Sequence, residues 1–407
     1  MDDYLNQSAL LRSYAALTPN NPREIQTPPF PTSTWLSKHS NQLKLFNLLV
    51  SKQDHHQQGF NRKYIANGRQ WKLMFWKRVI LEIENGFNNI SDPKIKEEEE
   101  IEEKILTYYI SLQQSPQPHQ NQTEGRGHED EETLSPLDQT EIHTYYYGDL
   151  SDRDRWTRID LHENKASISQ GTTGLRSWGA SVCLANYMIL HPDLLADSTK
   201  VLELGSGTGL LGLLVHTLSP STHVYLSDSN PAVLARLQLN INLNSLGDRD
   251  TLKLVELDWN ADRSALPAPI DLDTSSIILG ADVIYDPDLV PGLVRTIKLG
   301  LLSSHPSSSP ASTAAAAAAA AKSTEAEATR SYGLICGLVR DPSTWQKFID
   351  TCQLEGLEVE EVEIDEAVEI GSVEGRGIVF PQALDRALLD LRMVRLSIRP
   401  SLSPPSS

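Results

Sequence analysis

Short apolar runs alternate with helix-like stretches between residues 200 and 399, and this alternation limits the fold more than any other feature. The runs KVLELG, HVYLSD and SIILGAD each precede a stretch with apolar residues at helical spacing. Farther along, YGLICGLV precedes STWQKFIDTCQ, and EVEEVEI and LRMVRLSIR come last. Strands alternating with crossover helices predict an α/β fold with a mostly parallel sheet covered on both faces. Ligands bind such sheets beyond the carboxyl ends of the strands, so polar residues there are the first site candidates.

A glycine-rich turn follows the first of these strands, in the stretch VLELGSGTGLLGLL. It places Glu203, Gly205, Ser206, Gly207 and Gly209 between a strand and a helix. Glycines permit a tight turn and let a ligand approach the backbone at the helix N-terminus. The dinucleotide fingerprint would need glycine at position 210, where a leucine stands, and the lysine of a phosphate-binding loop is absent. The spacing therefore argues against both of those nucleotide sites.

Acidic residues end the next two strands. Asp228 closes HVYLSD, at the position where this kind of fold places an acid that accepts both ribose hydroxyls of an adenosyl ligand. Asp258 and Trp259 close LKLVELDW, where the carboxylate would accept from an adenine amino group and the indole would lie against the ring. Two plainer interpretations stay open: Asp228 caps the helix that starts at Pro231, and Trp259 is a packing residue.

The strand IILGADVIYDP ends with a carboxylate inside an otherwise apolar run. Asp282 follows Ala281, and Tyr285 comes three residues later. At the end of a parallel strand, this carboxylate can point into a crevice instead of the core. The plainer alternative is an ordinary strand end, in which Asp286 caps the following helix and the tyrosine packs with its hydroxyl satisfied.

The rest of the chain divides by composition. Residues 1–112 predict a helical accessory domain, with helices in SALLRSYAAL, NQLKLFNLLVSKQ, RQWKLMFWKRVILEIENG and DPKIKEEEEIEEKILTYYISL. Gly86 is expected to end the third of these helices. Residues 113–140 have almost no apolar side chains and predict a disordered acidic linker. The strand-and-helix part then occupies 141–400, interrupted by an alanine-rich, low-complexity insertion at 303–330.

Composition excludes several classes of function. A hydrophobic content of 39%, a mean hydropathy of −0.33 and no apolar run of membrane-spanning length predict no membrane association. The net charge of −18 argues against direct nucleic-acid binding, which needs a basic face. The N-terminal stretch lacks the pattern of a secretion signal, and the three scattered cysteines fit a reducing cytoplasm and no metal site.

The motifs together resemble one family. The pattern E-x-G-x-G-x-G is similar to that of methyltransferases that use S-adenosyl-L-methionine (SAM). Upstream, GTTGLRSWGASVCLANYM resembles the segment before the first strand in the seven-strand (class I) protein-lysine methyltransferases of the METTL21-like group, and ADVIYD matches their D-x-x-Y signature. Within that group, the TTGL-x-x-W and ADV-x-Y-x-P stretches most resemble the eukaryotic elongation factor 2 lysine methyltransferases.

The resemblance implies a Rossmann-like sheet of seven strands behind a smaller helical domain, SAM as cofactor, and elongation factor 2 as the protein substrate. We expect the enzyme to be a monomer. The resemblance also implies that Trp178 contacts the cofactor, together with Ala281 and the residues of the glycine turn and of the two acidic strand ends. Asp282 and Tyr285 become the catalytic pair.

The predicted reaction sets conditions on the acceptor. Methyl transfer to lysine needs a neutral amine, and on the order of one free lysine in a thousand is neutral at pH 7. We expect Asp282 and Tyr285 to line a narrow lysine channel, with the carboxylate attracting and orienting the ammonium. A carboxylate next to lysine also raises the pKa of the amine, so Asp282 is better suited to alignment than to deprotonation.

Other functions remain open at this point. The same chemistry could act on another translation factor or a chaperone. A methyltransferase acting on RNA or a small molecule is less favoured, because base methylation usually goes with an N-P-P-Y-like signature where this chain has ADVIY. A binding platform without catalysis would be expected to lose the glycines, Asp228 and Tyr285, all of which are present.

Overall fold

The structure is a computed structural model. It describes residues 4–17, 30–51, 68–92, 94, 100–114, 140–149, 151–166, 168–169, 171–247, 250–303, 331–364 and 390–399. The predicted linker lies outside the described residues except for 113–114 and 140, and the predicted insertion lies outside them except for residue 303. Within these ranges, none of the helices combines the length and apolar character that a membrane span requires.

The described part of the chain before residue 115 is mainly helical, as predicted. Trp76 is fully buried at its centre, and its indole N–H donates to the Tyr14 hydroxyl at 3.0 Å. The helix predicted over 92–112 is not continuous: residue 94 is helical, residues 100–102 are not, and a helix begins at Glu103 with Glu102 as its N-cap. The helices are α1 (Tyr4–Ala15), α2 (Ser33–Leu36), α3 (His39–Phe46, extended by a π-helical turn over Asn47–Ser51), α4 (Arg69–Asn88) and α5 (Glu103–Gln113).

Gly86 does not end its helix, so that prediction is wrong. The helix α4 continues to Asn88, and Gly86 is buried where α4 crosses α2. A Cβ atom at this position would lie 2.3 Å from the carbonyl oxygen of Ser33. The glycine is needed for close approach between two helices, not for a left-handed turn at a helix end.

An antiparallel hairpin that the sequence did not predict joins the helices to the sheet. It consists of β1 (Thr140–Tyr147) and β2 (Thr157–Asn164). The buried guanidinium of Arg12 on α1 donates to the Gly148 carbonyl oxygen at 2.5 Å and stacks on the Trp156 ring, 4.1 Å from its centroid. The hairpin is therefore held against the first helix by Arg12, whose planar guanidinium both donates a hydrogen bond and stacks on a ring.

Seven strands form one sheet in the order β5-β4-β3-β6-β7-β9-β8. The first five strands in this order are parallel, and β9 is antiparallel to both of its neighbours, so the sheet is mostly parallel as predicted. The strands are β3 (Lys200–Leu204), β4 (His223–Asp228), β5 (Leu252–Glu256), β6 (Ile277–Ala281), β7 (Tyr332–Leu338), β8 (Leu357–Val362) and β9 (Leu391–Ile398).

Helices cover both faces of this sheet. Neighbouring residues on one strand enter different apolar clusters, as Val201 and Leu202 do, because successive side chains of a strand point to opposite faces. One cluster takes in α6 (Gly179–Leu190), α7 (Leu210–Leu218) and α8 (Pro231–Leu243), and the other takes in α9 (Val290–Ser303) and α10 (Pro342–Leu354). The α/β architecture is that predicted from the sequence.

The strand order reverses beside β3. The chain runs outward from β3 to β4 and β5 and then returns to place β6 on the other side of β3. Connections that leave neighbouring strands in opposite directions open a crevice at their carboxyl ends. The glycine turn after β3 and the acidic ends of β4 and β6 therefore meet at one place.

Candidate functional site

The glycine turn has the left-handed backbone that its glycines predict. Gly205, Gly207 and Gly209 have φ angles of +63°, +53° and +89°. The turn is fastened to β4, because Ser206 N–H donates to the Ser227 carbonyl oxygen at 2.8 Å and the Ser206 hydroxyl accepts from Ser227 N–H at 2.9 Å. A side chain at 205 would be strained and would come within 3.3 Å of the Trp259 ring.

Glu203 and Asp228 are carboxylates with little water around them. Glu203 is 3% exposed and accepts from Gly212 N–H at 3.0 Å, and burial raises its pKa to about 8. Burial also raises the pKa of Asp228, against the opposing effect of backbone N–H groups that include Asn230 at 3.0 Å and Gly207 at 3.4 Å. A hydroxyl or cationic group of a ligand would offset the cost of charging these carboxyls.

The N-cap of α8 is Asn230, whose side chain accepts from the N–H groups of Ala232 and Val233. The alternative in which Asp228 caps this helix is therefore wrong. The carboxylate of Asp228 is left facing the crevice.

The segment before α6 packs directly on the glycine turn. The Gly174 carbonyl oxygen lies 3.2 Å from where a Cβ on Gly207 would be. The Ser177 hydroxyl lies 2.6 Å from both the Glu163 carboxylate and the Thr208 hydroxyl, which ties this segment to β2 and to the turn. Trp178 is held by its indole N–H, which donates to the Thr173 carbonyl oxygen at 3.0 Å. No sequence pattern points to Glu163 or Thr208, since their role depends on this three-way contact.

Asp258 and Trp259 follow β5. The Asp258 carboxylate accepts from Asn260 N–H at 2.9 Å, which turns the chain. Trp259 packs against the apolar cluster beneath it and also forms part of a cavity wall, so packing and ligand contact are compatible roles for this side chain.

Asp282 has an unusual backbone and several donors. It is a non-glycine residue with φ of +55°, and its side chain is 6% exposed. The carboxylate accepts from Leu338 N–H at 3.0 Å and from Ala180 N–H at 3.4 Å, and it lies 3.4 Å from Nη1 of Arg340. Backbone strain of this kind persists only where surrounding contacts enforce it, and it is often found at functional sites.

Tyr285 stands at the edge of the same crevice with 51% of its surface exposed. Partial burial of the hydroxyl, together with the charges of Asp228 and Asp286, raises its pKa. Asp286 accepts from Asp288 N–H in the turn that precedes α9, so it orders the approach to the helix, which itself starts at Val290.

These side chains surround one cavity of about 620 Å³. Every residue predicted for the site lines it except Gly209, which is the N-cap of α7 and whose Cβ position points at Leu237. Arg340, which follows β7, also lines the cavity and was not predicted. Among the described residues, no cluster of histidine, cysteine and carboxylate side chains suits a metal ion.

Comparison with known proteins gives a family for this segment. Residues 158–309 match a lysine methyltransferase family. The chain is 34% identical over 161 residues to protein-lysine N-methyltransferase EFM3 of Chaetomium thermophilum, covering 38% of this chain and 47% of that protein. It is 33% identical over 149 residues to the human protein-lysine N-methyltransferase EEF2KMT, covering 34% of this chain and 44% of that protein.

The chain thus matches less than half of the length of these two relatives. Among solved structures, the glycopeptide N-methyltransferase MtfA aligns at a TM-score of 0.33 and 13% identity, over 54% of this chain and 96% of that one. A score of that size supports no conclusion about function. The match is to a methyltransferase family, the class of enzyme for which SAM was predicted as the cofactor. Residues 158–309 are thus similar to a lysine methyltransferase family, and this segment carries most of the residues that line the cavity.

Proposed function

We propose that this protein is a SAM-dependent protein-lysine N-methyltransferase. One observation carries the proposal: the D-x-x-Y pair, Asp282 and Tyr285, lines the same cavity as the glycine turn within the family-matched segment. A methyl donor and an acceptor side chain must meet in one water-poor space, and a shared cavity provides it.

The residues present fit an adenosyl cofactor. Asp228 would accept from the ribose hydroxyls, Asp258 would accept from the adenine amino group, and the rings of Trp178 and Trp259 would border the ligand. Glycine at 205 and 207 lets a ligand reach the backbone N–H groups, because a side chain there would be strained and crowded. When bound, SAM supplies an electrophilic methyl group on a sulfonium.

The chain's own residues would prepare the acceptor. Asp282 would attract the incoming ammonium, and its two backbone donors, Leu338 and Ala180, would keep the carboxylate aimed while it does so. Tyr285, half exposed at the cavity edge, would border the path of the amine. Such alignment is worth several orders of magnitude in rate for a bimolecular displacement.

We propose elongation factor 2 as the protein substrate. The support is the TTGL-x-x-W and ADV-x-Y-x-P stretches together with the similarity to EFM3 and EEF2KMT. The enzyme is proposed to act as a monomer in the cytoplasm without direct nucleic-acid contact, consistent with the net charge of −18. The second candidate is the same reaction on another translation factor or a chaperone.

The substrate test uses labelled SAM and a lysate from cells that lack this protein. Purified full-length chain should label one band at the size of elongation factor 2, and mass spectrometry of that band should find methylated lysine. Labelling of a different protein would show that the proposed substrate is wrong and would leave the proposed reaction in place. Binding of SAM without any labelling would favour a non-catalytic platform.

The role of Asp282 is tested by Asp282→Ala. We expect loss of most activity, on the order of a hundredfold or more in kcat, with little change in the affinity for S-adenosylhomocysteine measured by calorimetry. Because two partly buried N–H groups lose their acceptor, stability should also fall by about 1–3 kcal/mol.

Asp341→Ala is the matched control. Asp341 also accepts from a backbone N–H group, that of Ser343 at 3.0 Å, as the N-cap of α10, and it does not line the cavity. The Asp341→Ala substitution should lower the free energy of unfolding by about 1 kcal/mol and leave turnover unchanged. Equal turnover in the two variants would remove Asp282 from the mechanism.

A further inference from the structure

Arg340 places a cation beside Asp282 on the wall of the cavity. It follows β7 by two residues, and its side chain is 40% exposed. Its guanidinium lies 3.4 Å from the Asp282 carboxylate and 5.1 Å from the centroid of the Trp178 ring. The cation therefore sits between a proposed catalytic carboxylate and a proposed cofactor contact, and all three side chains line the same cavity.

The contacts of Asp282 show what the cation does there. The carboxylate already accepts from two backbone N–H groups, those of Leu338 and Ala180. Neither donor carries a formal charge, so the full negative charge would face the acceptor space if Arg340 were absent. With Arg340 in place, the pair has no net charge.

Other ionisable groups around this pair do not supply that cation. Behind Asp282, the thiols of Cys336 on β7 and Cys183 on α6 are buried, and the pKa of Cys336 is raised by its contact with Cys183 and by burial. The remaining ionisable groups on the cavity wall are one cation and four acids: Arg176, Glu203, Asp228, Asp258 and Tyr285. Arg176 is directed elsewhere, since it donates to the Lys165 carbonyl oxygen at 2.7 Å.

We propose that Arg340 is a positioning residue that neutralises Asp282 and keeps a positive charge beside the acceptor amine, so that the site binds lysine in its neutral form. This inference rests on the proposed lysine methyltransferase activity. It revises the role of Asp282 in that mechanism: the carboxylate paired with Arg340 would align the neutral amine by accepting its hydrogen bond, whereas an unpaired carboxylate would hold the lysine as an unreactive ammonium.

The size of the effect follows from ordinary electrostatics. A like charge within a few ångströms disfavours the charged form of an amine, typically by one or more pKa units. A guanidinium stays charged throughout the pH range in which lysine titrates, so its influence does not vanish at high pH. At the partly exposed site of Arg340 we expect about one unit, which changes the neutral fraction of a bound lysine about tenfold.

The experiment compares Arg340→Met with Arg340→Lys in the full-length protein, on the acceptor protein found by labelling. For the methionine variant, kcat at pH 7 should fall about tenfold and its pH profile should move about one unit to higher pH, with no rise in KM for the acceptor. The lysine variant keeps the cation and should restore most of the activity and the wild-type profile.

The control is Arg392→Met. Arg392 makes a similar arginine–aspartate pair, with Asp390 at 3.0 Å, but it does not line the cavity. The Arg392→Met substitution should leave the pH profile of kcat unchanged. Equal loss of activity at all pH values in both Arg340 variants would indicate a merely structural role and overturn the proposal, as would an increase in activity of the methionine variant at pH 7.

A binding measurement separates this inference from the proposed function. With S-adenosylhomocysteine present, n-butylamine is titrated by calorimetry at pH 7 in two buffers of different ionisation heat, which counts the protons released on binding. The wild type and Arg340→Lys should release more protons than Arg340→Met, because they favour the neutral amine. Equal proton release, or no amine binding by the wild type, would overturn the inference whether or not methyl transfer is seen.

Discussion

The acids around the cavity differ in how their charge is compensated. Asp282 has two backbone donors and the guanidinium of Arg340, whereas Glu203 is buried with one backbone donor, the N–H of Gly212. Burial therefore dominates at Glu203 and raises its pKa to about 8. A carboxyl that is neutral in the folded protein at pH 7, and charged in the unfolded chain, makes stability depend on pH.

We expect Glu203 to lower stability as the pH rises. Its pKa moves from 4.5 to about 8 on folding, so between these values the folded state holds a proton that the unfolded chain has lost. The free energy of unfolding should therefore decrease by about 1.4 kcal/mol per pH unit from this group, and the contribution is flat below 4.5 and above 8.

The isosteric variant Glu203→Gln isolates this contribution. Its amide oxygen can still accept from Gly212 N–H, and it has no proton to lose. Denaturant unfolding at pH 5, 6.5 and 8 should show that the free energy of unfolding of the variant, relative to that of the wild type, increases from each pH to the next. A constant difference across the range would contradict burial as the cause.

At the scale of elements, one helix crossing reverses the usual effect of a glycine. Glycine inside a helix normally costs roughly 0.5–1 kcal/mol relative to alanine. At Gly86 the neighbouring helix is so close that a Cβ would lie 2.3 Å from the Ser33 carbonyl oxygen and 2.9 Å from Cβ of Ser37. The same crossing is held by a hydrogen bond from the Ser33 hydroxyl to the Glu82 carboxylate.

Gly86→Ala should therefore destabilise the protein, by about 1–3 kcal/mol, although it improves local helix propensity. The measurement is chemical denaturation followed by circular dichroism. Glu84→Ala, at an exposed position of the same helix, is the control and should change stability by no more than about 0.5 kcal/mol. Stabilisation by Gly86→Ala would mean that the two helices can separate at little cost.

At the scale of the whole molecule, the apolar clusters suggest two units of stability. Two clusters share the seven-stranded sheet, one on each face, and a third belongs to the helices that precede it. The helices meet the hairpin through polar contacts, such as Arg12 with Gly148, Arg153 with Ser8 at 2.7 Å and His143 with the Ala16 carbonyl oxygen at 2.9 Å. A few apolar side chains, among them Ala16 and Trp156, also pack across this boundary.

Calorimetric melting should accordingly show two transitions. S-adenosylhomocysteine at one hundred times its dissociation constant stabilises the unit that binds it by about 2.7 kcal/mol, which should raise one transition by about 5–10 °C and leave the other in place. Gly86→Ala should lower only the transition that the ligand leaves unmoved. A single transition that responds to both changes would show that the helices and the sheet unfold as one unit.

The sequence alone determined which strand ends carry the acidic residues of the site. Because parallel strands bring their carboxyl ends to one edge of a sheet, acids at 228, 258 and 282 could be assigned to one crevice from their positions after apolar runs. The glycine spacing at 205–209 likewise fixed a left-handed turn, since only glycine adopts it without strain. These are local rules, and the seven-stranded sheet follows them.

Only the tertiary structure decided which distant residues complete the site. Arg340 reaches Asp282 because β7 pairs with β6, and Glu163 reaches Ser177 because the hairpin packs under the segment before α6. Gly86 was misread for the same reason, since its role depends on a helix more than fifty residues earlier in the chain. A pattern in sequence records the periodicity of an element, whereas contacts between elements depend on how the elements pack, and local propensity does not encode that.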